Sequence, residues 1–309
     1  MPKKSKMQIW LEYGIARTFF GTLSVLPRGA AVALGVNIGR LGYKVLGGLR
    51  RVAHKNLAIA FPEKNEAERA EIAKGTFENL GRVLGEMSQL KNATRGKLER
   101  LGDLTLDDEI LALYHRIKKE KRGVLITTGH LGNWEVLVLG FAALYEPISY
   151  LARPIDNPLI EAFTHKIRTQ FGNNPINKSF SVMTAIGILR DGGILGILSD
   201  VNAHPKEGVF VPFFGLDACT PAGAATMAIR SNSLILPIFC VWDKATKKYK
   251  FVHGNLLEPA NTGDRKGDIV TTTAAYTSEI ESIIRQYPDQ WMWIHKRWKT
   301  RPKGEPRIY

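Results

Sequence analysis

From Gly123 onward the sequence alternates two hydrophobic periods, and a chain that does this has few folds open to it. Gly123 to Thr128, Pro147 to Ala152, Ile194 to Ser199 and Leu234 to Trp242 are short apolar runs bounded by turn residues, the pattern of buried strands. Between and after them, Asn133 to Leu144, Asp156 to Phe171, Phe180 to Arg190 and Asp268 to Gln286 carry helical spacing. Thr220-Pro221 supplies a cap and a first-position proline for one more helix, and Tyr249 to His253 can pair with the fourth strand as a hairpin. The reading is an α/β fold, an αβα sandwich around a mixed, mostly parallel sheet.

The residues before Gly123 read as helices. Pro27 and Gly29 separate two stretches, and a third ends at Phe61-Pro62. Asn65-Glu66-Ala67-Glu68 opens a long helix to Leu90, with Ile72, Phe77, Leu80, Leu84 and Met87 as apolar positions. Leu111 to Lys121 is helical as well. This divides the chain into a hydrophobic and basic helical lobe, residues 1–50, and a main domain, residues 51–309.

The net charge is +14, and its placement says more than its size. Residues 1–55 hold ten Lys or Arg against Glu12, and residues 296–309 hold six against Glu305, so the two ends carry the whole excess. A nucleic-acid enzyme spreads positive charge over its working groove; basic ends around a neutral body suit an anionic membrane surface. Glu12, Arg17, Arg28, Arg40 and Lys44 keep every run between Met7 and Leu49 short of the roughly 18 uncharged residues of a spanning helix. Glu12 and Arg17 also break the apolar core that a cleaved signal needs. What remains is amphipathic segments with Trp10, Phe19 and Phe20 for a bilayer interface, or one tilted span with Arg17 snorkelling. Either way Lys3, Lys4 and Lys6 stay cytoplasmic. Cys219 and Cys240 lack metal-ligand spacing and suit a reducing compartment.

The sharpest local signal is Thr128-Gly129-His130-Leu131-Gly132-Asn133-Trp134-Glu135, placed where a buried strand gives way to a helix. Open α/β sheets hold ligands at such strand ends. An imidazole there can take a proton from a hydroxyl, and a carboxylate on its far nitrogen would fix the tautomer, which makes His130 and Glu135 a candidate pair. Free N–H groups at the helix start are candidates for binding an oxyanion. No Ser or Cys beside His130 serves as nucleophile, and no second His lies four residues away to hold zinc. That leaves direct attack by a substrate hydroxyl, with no metal. Asp200 ends a predicted strand and is a candidate to orient the site or to cap a turn. Gly208 to Gly215 is an apolar loop that either lines an acyl channel or packs in the core. Trp291, Trp293 and Trp298 interleave with Lys296, Arg297 and Lys299, which suits a headgroup region, though core burial serves tryptophan equally well.

The block Gly129 to Glu135 resembles the His-x4-acid motif of the glycerolipid and lysophospholipid acyltransferase superfamily. Its Glu form, with Asn133-Trp134 before it, is similar to the branch of lipid A late acyltransferases and phosphatidylinositol mannoside acyltransferases. Arg51-Val52-Ala53-His54-Lys55-Asn56-Leu57 with Ala60-Phe61-Pro62 resembles that branch as well. So do Ala152-Arg153-Pro154-Ile155-Asp156-Asn157-Pro158 with Ile167-Arg168, Gly208 to Gly215 with Thr220, and Pro288 to Lys299. The resemblance implies an acyltransferase domain over residues 51–309, with His130 as general base and Glu135 as its partner. It implies substrate contacts from Arg168, with Arg153, Asn133 and Asp200 as further candidates. Where the family shows a polar residue after that Asp, often Gln, this chain has Val201.

The implied reaction moves a fatty acyl chain from acyl carrier protein or coenzyme A, as co-substrate, to a hydroxyl of a glycolipid, foremost a lipid A precursor. It needs no cofactor and would run at the cytoplasmic face of the inner membrane, with no nucleic acid as partner. The alternatives are an acyltransferase for a glycolipid such as a phosphatidylinositol mannoside, a lipid hydrolase or thioesterase on the same scaffold, and a non-enzymatic membrane or nucleic-acid binder.

Overall fold

The structure, a computed structural model, describes residues 4–152, 154–177 and 181–309. Four helices come first: α1 (Lys6–Val25), α2 (Arg28–Val45), α3 (Gly47–Ala60) and α4 (Glu66–Gln89). Asn65 caps α4 in a reciprocal box with Glu68, which satisfies two backbone donors at its start. Helices α2 and α4 cross almost backbone to backbone. A Cβ on Gly35 would sit 2.2 Å from the Gly81 carbonyl oxygen, and one on Gly85 would sit 2.8 Å from that of Ala31. At the end of this crossing Arg28 forks onto the buried Glu86 carboxylate at 3.0 and 2.5 Å.

The main sheet has seven strands in the order β1-β9-β8-β2-β5-β3-β4. These are β1 (Gly102–Asp103), β2 (Val124–Thr128), β3 (Ser149–Ala152), β4 (Asn174–Asn177), β5 (Ile194–Leu198), β8 (Leu234–Asp243) and β9 (Lys248–His253). The pairs from β8 through β4 are parallel, while β9 runs antiparallel to β8. The period-two pattern divides the core. Val124, Ile126, Ile194, Leu234 and Leu236 pack on one side with α6 (Asp108–Lys119) and α7 (Trp134–Leu144). Leu125, Leu195 and Ile235 pack on the other with α9 (Ser181–Arg190), α10 (Gly223–Ser231) and α11 (Arg265–Gln286). The expected three-layer α/β sandwich is therefore present.

One reading needs correction, one open alternative is decided, and one helix start lies outside the described residues. Thr220-Pro221 opens no helix. It ends β7 (Leu216–Pro221), which pairs antiparallel with β6 (Gly208–Phe213), and Thr220 is fully buried. The sequence hides this hairpin because its turn, Phe214-Gly215, takes two positive-φ residues from an apolar run. Trp291, Trp293 and Trp298 are all buried and pack with Phe61, Phe213 and Phe214, so they belong to the core, not to a headgroup layer. Phe180, the expected start of α9, lies outside the described residues.

Candidate active site

Strands β2 and β5 are parallel neighbours in register, Thr128 opposite Leu198. Beyond them the chain departs to opposite faces of the sheet, into α7 on one side and toward β6, β7 and α10 on the other. That divergence opens a crevice at the strand ends. His130 and Asp200 each lie two residues past these ends, so equal register sets them side by side.

Their contact is intimate. His130 Nδ1 lies 2.9 Å from Asp200 Oδ1, while Asp200 Oδ2 accepts the His130 backbone N–H at 2.6 Å and the Trp291 indole N–H at 2.8 Å. A carboxylate can only accept, so Nδ1 carries the proton and Nε2 is left with its lone pair. Gly129 makes room, since a Cβ there would sit 2.8 Å from Asp200 Oδ2. Burial alone would raise the Asp200 carboxyl; the facing imidazole, the His130 N–H and the Trp291 indole override it and hold it at about 2. Burial lowers His130, but the Asp200 carboxylate outweighs it, leaving the ring more basic than an ordinary histidine.

The turn from Gly129 to Asn133 is held from several directions. The Gly132 N–H donates to the Gln290 carbonyl at 3.1 Å, the Asn133 N–H to the Cys240 carbonyl at 2.7 Å, and the Met292 N–H to the His130 carbonyl at 3.0 Å. Gly132 sits at φ +64°, where a Cβ would collide with the Cys240 carbonyl. Asn79 reaches from α4 to the carbonyls of Gly132 and Gln290 at 2.9 and 3.1 Å.

Glu135 stands elsewhere than expected. It is the second residue of α7, and its carboxylate takes a forked ion pair from Arg168, at the end of α8 (Pro158–Arg168), with distances of 3.0 and 2.5 Å. The carboxylate on His130 is thus Asp200, not Glu135. The helix begins only after the Gly132 turn, which carries Glu135 toward α8, whereas strand register delivers Asp200 directly. Asn133 also departs from expectation. It is fully buried, caps α7 through Val136 N–H at 3.1 Å, and donates to the Tyr249 hydroxyl at 3.3 Å, so it supports the turn and does not line the cavity. Arg153 lies outside the described residues.

His130, Glu135 and Arg168 line one cavity of about 240 Å³. Its walls are mostly apolar: Ile126, Leu137, Val138, Ile148, Leu151 and Ile197. Gly196 on β5 also lines it; a Cβ there would come within 3.2 Å of Ile148 and 3.4 Å of Tyr150. The Gly208 to Gly215 segment is not part of this wall. Two lining hydroxyls, those of Thr128 and Tyr150, are buried without a hydrogen-bond partner among the described residues. Burial, opposed in part by Arg168, pushes the Tyr150 hydroxyl up to about 12, so it stays a donor. Among the described residues no cluster of side chains fits a metal ion.

Sequence reasoning missed Trp291 and Thr128. Nothing local marks Trp291 as a partner of Asp200. Thr128 was legible in principle, because strand alternation puts it on the same face as Ile126 and His130.

A family model described as bacterial lipid A biosynthesis acyltransferase matches residues 1–300. The chain is similar to the lipid A biosynthesis lauroyltransferase of Escherichia coli K12, 27% identical over 100% of the chain and 99% of that protein. It is 26% identical to the lipid A biosynthesis palmitoleoyltransferase of the same organism, over 92% of the chain and 90% of that protein. A lipid A biosynthesis acyltransferase of Haemophilus influenzae is 25% identical over 88% of the chain and 81% of that protein.

Proposed function

The chain belongs to the bacterial lipid A biosynthesis acyltransferase family, and from that premise we propose that it moves one fatty acyl group from a thioester to a hydroxyl of a lipid A precursor, with His130 Nε2 as general base. The observation that carries this is a His130–Asp200 pair with its free nitrogen at an apolar cavity. The acceptor oxygen attacks the thioester carbonyl carbon as its proton passes to Nε2, and Asp200 stabilises the imidazolium that forms. The intermediate then expels the thiolate, which takes the proton back.

The developing oxyanion needs donors. The N–H groups of His130, Gly132, Asn133 and Val136 are already engaged, so the turn does not supply them from these positions. The unpartnered Thr128 and Tyr150 hydroxyls fill that role. Glu135 holds Arg168 by two of its nitrogens, and the remaining guanidinium N–H groups orient the acceptor.

The relatives carry names for lauroyl, palmitoleoyl and myristoyl groups, so membership leaves the chain length open; the depth of the slot above Gly196 sets it. The donor is an acyl carrier protein or coenzyme A, and the basic ends favour an acidic carrier. The enzyme works at the cytoplasmic face of the inner membrane. Its first helix exposes Met7, Trp10, Leu11 and Ile15, while among the described residues no helix is long and apolar enough to cross a membrane.

The test is mass spectrometry of a lipid A precursor incubated with the purified protein and each acyl thioester. A gain of one acyl chain is expected. Free fatty acid released equally with and without acceptor would overturn the reading in favour of hydrolysis.

A further inference from the structure

The inner parts of the two basic end regions, α3 and the start of the C-terminal segment, lie together in space. Arg51 and Lys55 of α3 and Lys296 of the C-terminal segment line one open cavity of about 700 Å³, together with Leu46, Leu49 and Tyr309. The junction is stitched together. Lys55 Nζ donates to the Ile308 carbonyl at 2.9 Å, and buried Asn56 donates to the carbonyls of Trp293 and His295 at 2.7 Å each while accepting from the Tyr309 hydroxyl. The Lys296 ammonium lies 5.8 Å from the Tyr309 ring centroid.

Among the described residues no Asp or Glu side chain lines this basin. Among the described residues Arg51, Lys55 and Lys296 form no ion pair. Like charges that line one basin repel one another, and an anion among them relieves that. The rest of the lining includes hydrocarbon, from Leu46, Leu49 and Val52. Leu46 and Leu49 remain exposed there, next to the still more exposed Leu41 and Val45. A free anion has no use for those side chains, whereas a phosphate attached to acyl chains uses cations and leucines together.

We propose that this basin binds the phosphate headgroup of an anionic membrane phospholipid, with Arg51, Lys55 and Lys296 on the phosphate oxygens and Leu46 and Leu49 against the first methylenes. It lies outside the catalytic cavity, and its binding needs no turnover, so it stands or falls apart from the acyl-transfer reading. The same C-terminal segment touches both places, since Met292 holds the His130 carbonyl four residues before Lys296. A lipid held in the basin thereby fixes how the catalytic crevice meets the bilayer.

Flotation of the purified full chain with vesicles tests this. Wild type is expected to bind phosphatidylcholine vesicles containing about a third phosphatidylglycerol, and an Arg51→Gln/Lys296→Gln variant to bind them about twentyfold more weakly. Arg265→Gln/Lys266→Gln, which removes the same charge from the exposed start of α11, is expected to match wild type. Soluble glycerol phosphate at equal ionic strength is expected to displace nothing. Basin variants that float like wild type would overturn the proposal, even if they lost affinity for an acidic carrier protein. An equal loss in the α11 variant, or displacement by glycerol phosphate, would also overturn it, leaving bulk charge or free phosphate as the explanation.

Discussion

The two nitrogens of His130 face different surroundings, and this difference gives the site a measurable pH signature. Nδ1 is tied to Asp200, which raises the affinity of the whole ring for protons. A general base must be neutral, so kcat/KM should rise with pH through a limb lying above the ordinary imidazole value of about 6.5. Asp200→Asn removes the raising influence and leaves burial, so the limb should move to lower pH while kcat falls roughly 10²- to 10⁴-fold. Glu135→Gln should leave the limb in place, because its carboxylate faces Arg168; a pH–rate profile of the two variants separates the assignments. The orphan hydroxyls make a second test. A buried hydroxyl without a partner costs about 1–3 kcal/mol, so Thr128→Val and Tyr150→Phe should hold or raise the melting temperature. Both should nevertheless lower kcat by at least about tenfold, as lost oxyanion donors do. Paired turnover and melting measurements check this, and unchanged kcat in both would remove the hydroxyls from the chemistry.

Among the elements, β5 offers the direct test of selectivity, because Gly196 leaves the slot open beside Ile148 and Tyr150. Gly196→Ala fits if its neighbours yield by a few tenths of an ångström. It should shift the preferred donor toward shorter acyl chains, read from competition among thioesters of graded length. The elements also show why some of the site could be read in advance. The β2 strand and α7 helix are written locally, in an apolar run, two glycines and an Asn cap, so His130 and its crevice were legible. The pairing of His130 with Asp200 depends on register between strands remote in sequence, which no local pattern encodes. Glu135 misled for the same reason. Nearness along the chain resembles nearness in space until the Gly132 turn separates them. The β6–β7 hairpin was missed because the apolar run of β6 into Phe214-Gly215 resembles a core loop, and Arg297, buried with its guanidinium on the Cys219 carbonyl and Thr220 hydroxyl, looked like one more surface cation.

At the scale of the whole molecule, the His130–Asp200 pair proposed for catalysis also bears on stability. Asp200 falls from an ordinary value of 3.8 to about 2 on folding, so its contribution is present above about pH 4 and is lost as pH falls toward 2. His130 is raised on folding, so its contribution is fully present below about pH 6.5 and is lost as pH climbs through the raised value. The pair therefore stabilises most between about pH 4 and 6.5. Asp200→Asn should lower the melting temperature more at pH 5.5 than at pH 9, as thermal unfolding at the two values would reveal. The overall architecture and the basic ends were legible from hydrophobic period and charge placement, because both accumulate along the sequence. That α3 and the C-terminal segment share one basin was not, since it follows from their tertiary packing. The most direct measurement of the whole account is single-turnover acyl transfer to a lipid A precursor by His130→Ala beside wild type, both folded by thermal melting. A loss of at least about 10³-fold is predicted for a variant that still melts cooperatively, at a temperature lowered by loss of the Asp200 partner; transfer by the variant at near wild-type rate would contradict His130 as the base.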